Sequence, residues 1–200
     1  QRIQAAAERA GRSADDITLV GVTKYLDVST TRQFAEAGHC VLGENRPQSL
    51  LEKKAELADL DIQWHLIGHL QRNKAKGMVE AAELIHSVDS LRLVKTIDGH
   101  ASQQNKTARV LLEVNVSGEP SKHGFSIDQM ESVVASMAEF ESVQVEGLMA
   151  MAGLNGDADD ARREFAAMRN LTERLASAEL PPNVSMQELS MGMSSDFEIA

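Results

Sequence analysis

Three features of this 200-residue chain have the residue types and spacing to do chemistry: a lysine at a strand end, a histidine pair and a late Gly/Ser loop. Lys24 directly follows the apolar run Ile17–Thr23, which sets its Cα at the rim of the core that run enters. Burial disfavours an ammonium and lowers its pKa. A partly neutral amine can condense with a carbonyl. The same position equally suits a lysine that reaches from a strand end to water. Ser190-Met191-Gly192-Met193-Ser194-Ser195-Asp196 follows the last apolar run. Its backbone amides and the hydroxyls of Ser190 and Ser194 can cradle a phosphate. The alternative is a plain loop and N-cap before a helix that starts near Asp196. His65 and His69 are four residues apart, a zinc-like spacing. They lie on a β-like run broken by Gly68 and no Glu follows His65, so no metal is assigned and His65 reads as a strand-end hydrogen-bonding residue.

Other polar residues close apolar runs in the same way: Asn45, His86 with Asp89, and Asn115. In the loop Gly118–Gly124, Glu119 and Lys122 are spaced to pair. The segment His69–Lys76 is locally basic and reads as a solvated face. Met149, Met151, Met191 and Met193 stand near strand ends and read as core or pocket lining. Asp157, Asp159 and Asp160 suit the start of a helix. Tyr25 neighbours Lys24 on a strand end, so alternation points it to the opposite side.

These residues are positioned by an alternation of strands and helices. The apolar runs are Ile17–Thr23, His39–Leu42, Ile62–Ile67, Glu83–Val88, Arg109–Val114, Val143–Met149 and Glu188–Met191. Between them lie helical patterns. One covers residues 30–37, capped by Ser29 and closed by Gly38. One starts with Ser126 and Gln129 in capping-box spacing. The longest, residues 158–178, carries Phe165, Met168, Leu171 and Leu175 on one face before Pro181-Pro182. Alternating strands and helices imply parallel pairing with right-handed crossovers. The α/β class follows, and the count favours a (β/α)8 barrel of TIM type whose eighth strand is missing after Met191. An open doubly wound sheet is the alternative, although no Gly-x-Gly-x-x-Gly follows the first run. The spacing leaves no room for a second domain, so residues 1–200 read as one.

Composition excludes several classes. The chain has 30 acidic against 20 basic residues, a net charge of −10, with 42% hydrophobic and 25% charged residues. It is ordinary for a globular domain and not for a disordered, collagenous or coiled-coil chain. So acidic a chain repels a phosphate backbone, which excludes nonspecific nucleic-acid binding. No apolar run is long enough to span a membrane, and residues 1–10 read as a polar helix and not a signal peptide. The single cysteine, Cys40, excludes an internal disulfide and reads as a small buried hydrophobe in a cytoplasmic protein.

Taken in order, these segments resemble the pyridoxal phosphate homeostasis proteins, single-barrel relatives of the alanine racemase N-terminal domain. The resemblance rests on Gly21-Val22-Thr23-Lys24, Gly43-Glu44-Asn45, Trp64-His65-Leu66-Ile67-Gly68 with Leu70–Lys74, and His86–Ser90. It continues through Glu113-Val114-Asn115, Gly118–Gly124, Gly147-Leu148-Met149 and Leu189–Phe197. It implies a barrel that holds pyridoxal 5'-phosphate as a Schiff base on Lys24. It implies a phosphate loop over Ser190, Met191, Gly192 and Ser194, with Asn45, His65 and Met149 lining the pocket. The family pattern continues beyond the Ala200 position with a strand carrying Arg-x-Gly-Thr, absent here. Arg46-Pro47 also departs from the usual pattern after Gly43-Glu44-Asn45. Racemases of this fold need a second base, a tyrosine from a separate domain, and Tyr25 is the only tyrosine here. The resemblance therefore implies a monomeric cytoplasmic carrier or buffer that delivers the cofactor to apo-enzymes. A small amino-acid racemase is the alternative enzyme reading, and a barrel for a phosphorylated metabolite is the reading without the cofactor.

Overall fold

The computed structural model describes residues 1–119, 122–153 and 156–200. Seven parallel strands form one sheet: β1 (Gly21–Val22), β2 (Val41–Glu44), β3 (Gln63–Leu66), β4 (Leu84–Val88), β5 (Ala108–Glu113), β6 (Val143–Met149) and β7 (Val184–Ser190). Helix α1 (Arg2–Arg9) precedes them. The connections carry α2 (Val28–Glu36), α3 (Pro47–Glu56), α4 (Ala75–Ala81), α5 (Leu91–Gln103), α6 (Met130–Ser136) and α7 (Ala158–Ala176). Each strand pairs with its successor in sequence, in the order β1 to β7. A doubly wound sheet must reverse its order at a switch point, so that alternative is excluded.

The two faces of the sheet differ. Leu42, Leu66, Ile85, Val110, Leu112, Val145 and Leu148 join Leu50, Met78, Ile97, Met130, Met168 and Leu171 of the helices in the main core. Residues of opposite parity face the other way. There Leu84, Leu111 and Met149 form a small separate cluster. Strands β4 and β7 are three positions apart, about 14 Å in a flat sheet at ~4.8 Å per strand. Yet His86 Nδ1 of β4 lies 2.8 Å from Ser190 Oγ of β7. The sheet is therefore rolled, with this second face inside. The ladder ends at β1 and β7, and no pairing joins these two among the described residues.

Most expected elements are present, with shifted ends. The first strand is regular only over Gly21–Val22, because it has a ladder on one side; Ile17, Leu19 and Val22 are exposed. Helix α2 is capped by Asp27, whose carboxylate accepts the Thr30 amide at 2.7 Å, and not by Ser29. The Ser126/Gln129 capping box forms, and Asp157 with Asp160 makes another at α7. Phe165, Met168, Leu171 and Leu175 are buried. Cys40 is exposed, contrary to expectation, since it sits one residue ahead of β2, outside the paired strand. Met151 and Met193 are also exposed: both lie in loops past the strand ends, beyond the reach of the core.

Candidate functional site

The carboxyl ends of the strands carry the polar residues picked out by sequence. Lys24 lies two residues past Val22, and Asn45 two residues past its ladder partner Gly43. Lys24 is exposed, and not at the buried rim of the core expected from its place after the apolar run. Tyr25 does not point away from it: the Lys24 Nζ lies 5.1 Å from the centre of the Tyr25 ring. The chain has left the strand for a turn by Lys24, so strand alternation no longer applies.

Behind Lys24 the chain is held rigidly. Thr23 is fully buried; its hydroxyl donates to Glu44 Oε1 at 2.7 Å. Lys53 of α3 donates to that same oxygen at 2.5 Å and to the Thr23 carbonyl at 2.7 Å. Glu44 is fully buried and Lys53 nearly so. One ion pair thus fixes the residue before Lys24 to both β2 and α3. Sequence reasoning missed this clamp, since Lys53 looks like any helix lysine.

On the inner face a second network runs across the roll. His65 Nδ1 lies 3.0 Å from His86 Nε2, and His86 Nδ1 2.8 Å from Ser190 Oγ. Burial pulls the His65 pKa down to about 4, with the Arg109 cation adding to the effect. Burial pulls His86 down to about 3, aided by His65. Both rings are therefore neutral near pH 7, and each contact shares one proton. If His65 donates to His86, then His86 donates to Ser190 and leaves the Ser190 O–H free to donate outward. Below the relay Arg109 bonds Glu146 at 2.5 Å and pairs with Glu83.

In the Ser190–Asp196 segment, Ser190 closes β7 and Gly192 turns the chain at φ 86°. The Asp196 carboxylate accepts the Met193 amide at 2.5 Å, and residues 194–199 form turns in place of the expected helix, because the backbone bonds converge in pairs on the Met193 and Asp196 carbonyls and build no continuous ladder. The amides of Gly192, Ser194 and Ser195 make no hydrogen bond among the described residues, as a phosphate cradle requires. Met191, partly buried, packs against the cluster of Ala152, Ala161 and Phe165, which ties the loop to α7. Met149 is buried on the inner face with Leu84 and Leu111. The structure thus joins His65 to Ser190 through His86.

The remaining rim residues form their own group. Glu113 is buried, and burial with nearby Asp89 raises its pKa. The Glu119–Lys122 pair forms at 3.0 Å, while residues 120 and 121 of that loop lie outside the described residues. Along His69–Lys76, Leu70 and Ala75 are buried while Arg72 and Lys74 are exposed. A recess of about 290 Å³ lined by Trp64, Ala81, Glu83 and Arg109 opens at the amino ends of the strands and contains none of the expected site residues.

Comparison with known proteins adds the family. The model of the alanine racemase N-terminal domain matches residues 1–199. A pyridoxal phosphate homeostasis protein of Aquifex aeolicus is 40% identical, over all of this chain and 86% of its own length. The structure of PipY from Synechococcus elongatus with PLP bound is 33% identical with a TM-score of 0.86, covering all of this chain and 92% of that one. Alanine racemase of Clostridium difficile shares the fold alone, at 13% identity and a TM-score of 0.72 over 97% of this chain and 49% of its own. No described helix is long and apolar enough to cross a membrane. The chain belongs to the alanine racemase N-terminal domain family, among the pyridoxal phosphate homeostasis proteins.

Proposed function

We propose that this chain binds pyridoxal 5'-phosphate as a Schiff base on Lys24 and acts as a carrier and buffer in intracellular pyridoxal phosphate homeostasis. The observation that carries this reading is the exposed Lys24 amine, set by a buried clamp at the carboxyl edge of the sheet. The similarity to a PLP-bound relative supports it. When bound, the cofactor supplies an aldehyde with which amines condense, losing water.

The chain's own residues supply orientation. The Thr23–Glu44–Lys53 clamp holds the backbone that carries Lys24. The Ser190 hydroxyl, oriented by His86, and the free amides of Gly192 and Ser194 take the phosphate. Asn45, His65 and Met149 line the pocket. The neutral His65–His86 pair stores no charge near the cofactor at pH 7. Tyr25 stands beside Lys24 and not across a ligand from it, which supports a carrier over a racemase. On this reading residues 1–200 are one domain of a (β/α)8 barrel, monomeric and cytoplasmic, that passes cofactor to apo-enzymes.

The test is the visible spectrum after adding pyridoxal phosphate, before and after borohydride, followed by peptide mapping. An imine band fixed by reduction onto Lys24 is expected. No band and no labelled Lys24 overturns the reading. Amino-acid-dependent exchange of an α-proton with solvent would instead establish the enzyme alternative.

A further inference from the structure

Three loops bring His69, Asp89 and His123 together at the rim, outside the cofactor site proposed above. Their ligand atoms all lie within 4.8 Å of one another. Asp89 Oδ2 is 3.2 Å from His69 Nδ1 and 3.6 Å from His123 Nδ1. Ligand atoms at about 2.0–2.1 Å around a tetrahedral cation are ~3.3 Å apart. The two carboxylate–imidazole distances bracket that spacing. We infer that His69, Asp89 and His123 form a binding site for a divalent d-block cation such as Zn²⁺, Ni²⁺ or Co²⁺.

The backbone around each residue is built to hold it. Gly68, next to His69, is pressed against the end of β2: a Cβ there would stand 2.2 Å from the Asn45 carbonyl oxygen. Ser87 of β4 donates to the Gly68 carbonyl at 2.6 Å, which ties this loop to the strand that presents Asp89. Gly124, next to His123, has φ 109°, and a Cβ there would stand 2.8 Å from the Asn115 nitrogen. The loop returns onto β5 there, with the Phe125 amide on the Glu113 carbonyl at 2.8 Å. On Asp89 the Ser90 hydroxyl binds Oδ1 at 3.0 Å and leaves Oδ2 to face the two rings.

Charge points the same way. The Asp89 side chain is only 11% exposed, and buried Glu113 follows Leu112, the ladder partner of Val88, so the two carboxylates stand on adjacent strand ends. Among the described residues, neither carboxylate has a lysine or arginine within ion-pair distance. The two imidazoles are stacked at 4.1 Å, and each ring turns about its own side-chain bonds for both nitrogens to meet one cation. A cation bound by two neutral rings and one carboxylate relieves this charge, and that donor set suits zinc, nickel or cobalt better than calcium or magnesium. Three protein ligands leave a position open to water or to a further ligand. From spacing alone the candidate pair was His65 with His69; the tertiary structure sends His65 to His86 and pairs His69 with His123.

The experiment is a Co²⁺ titration of the untagged full chain, stripped with chelator, before any pyridoxal phosphate is added. One cation per chain is expected, with a visible ligand-field band that Zn²⁺ displaces. His69→Ala, His123→Ala and the isosteric Asp89→Asn are each expected to abolish the band. Both histidines are largely exposed, so their variants keep the fold, checked by far-UV circular dichroism. Absence of the band from the parent chain overturns the inference. So does a band that survives in His123→Ala, or one lost in Cys40→Ser, which would place the cation at exposed Cys40. Borohydride labelling of Lys24 reads the cofactor proposal separately and is expected to be unchanged in all three variants.

Discussion

Two buried polar networks serve opposite edges of the same sheet by different means. The clamp behind β1 is ionic, with Lys53 and Glu44 joined at 2.5 Å between sheet and helix. The relay on the inner face is neutral, with two histidines leading to Ser190. Each ends beside a residue proposed to hold the cofactor: Thr23 before Lys24, and Ser190 itself. The contrast follows from surroundings. A buried ion pair holds geometry well but is costly to break, because the survivor is left as an unpaired charge. A neutral relay has no such charge and leaves a hydroxyl free to meet an anion. A charged histidine below the phosphate would bind the anion more tightly but would make capture depend on pH near 7.

The largest expected effect comes from breaking the ionic network on one side. Lys53→Met leaves Glu44 buried and unpaired, and is expected to cost about 3–5 kcal/mol in chemical denaturation. Replacing both partners, Glu44→Leu with Lys53→Met, is expected to recover most of that loss. If the single and double variants are equally unstable, the clamp is not an ion pair in function. Binding of pyridoxal phosphate at Lys24 should weaken in the single variant because the strand end is freed.

The second effect is in pH. The two relay histidines have folded pKa values of about 4 and about 3, below the ordinary 6.5 of the unfolded chain. The unfolded state therefore binds more protons as pH falls below 6.5, and stability is lost on acidification through this window. Each histidine contributes up to about 1.4 kcal/mol per pH unit. Urea midpoints from pH 7 to pH 4.5 are expected to fall, and less steeply in His65→Phe. An unchanged slope in that variant would remove His65 from the account.

Smaller effects sharpen the role of the relay. His86→Leu leaves both His65 and Ser190 without their partner, a cost of about 1–3 kcal/mol in stability. It is also expected to weaken capture of inorganic phosphate and of pyridoxal phosphate alike, while free pyridoxal still reacts at Lys24. Ser190→Ala removes one donor and is expected to weaken phosphate capture by ~1 kcal/mol, read by equilibrium titration. If both substitutions leave phosphate affinity unchanged, the loop amides act without the relay.

How much of this was legible in the residues can be judged element by element. The order of strands and helices, the α7 core face and the polar strand ends were readable from apolar periodicity, because parallel strands buried on both faces appear as continuous apolar runs. Lys24, Asn45 and the Ser190 loop were singled out as candidates by their place after those runs. The short length of β1 was not readable, because regular pairing depends on neighbours and not on the run itself. Neither was the exposure of Cys40, one residue outside its strand. Tyr25 was misplaced because strand alternation was extended into a turn.

The sequence by itself determined the α/β alternation and the family, since local periodicity and ordered motifs are properties of neighbouring residues. The tertiary structure alone decided which distant side chains meet. The roll of the sheet brings His86 to Ser190 across two intervening strands. Packing of α3 on the sheet delivers Lys53 to Glu44 and Thr23. Close backbone approaches at Gly68 and Gly124 set His69 and His123 around Asp89. The physical reason is common to all three: hydrogen bonds, ion pairs and metal ligands act over a few ångströms in space, and only the folded chain sets those distances between residues far apart in sequence.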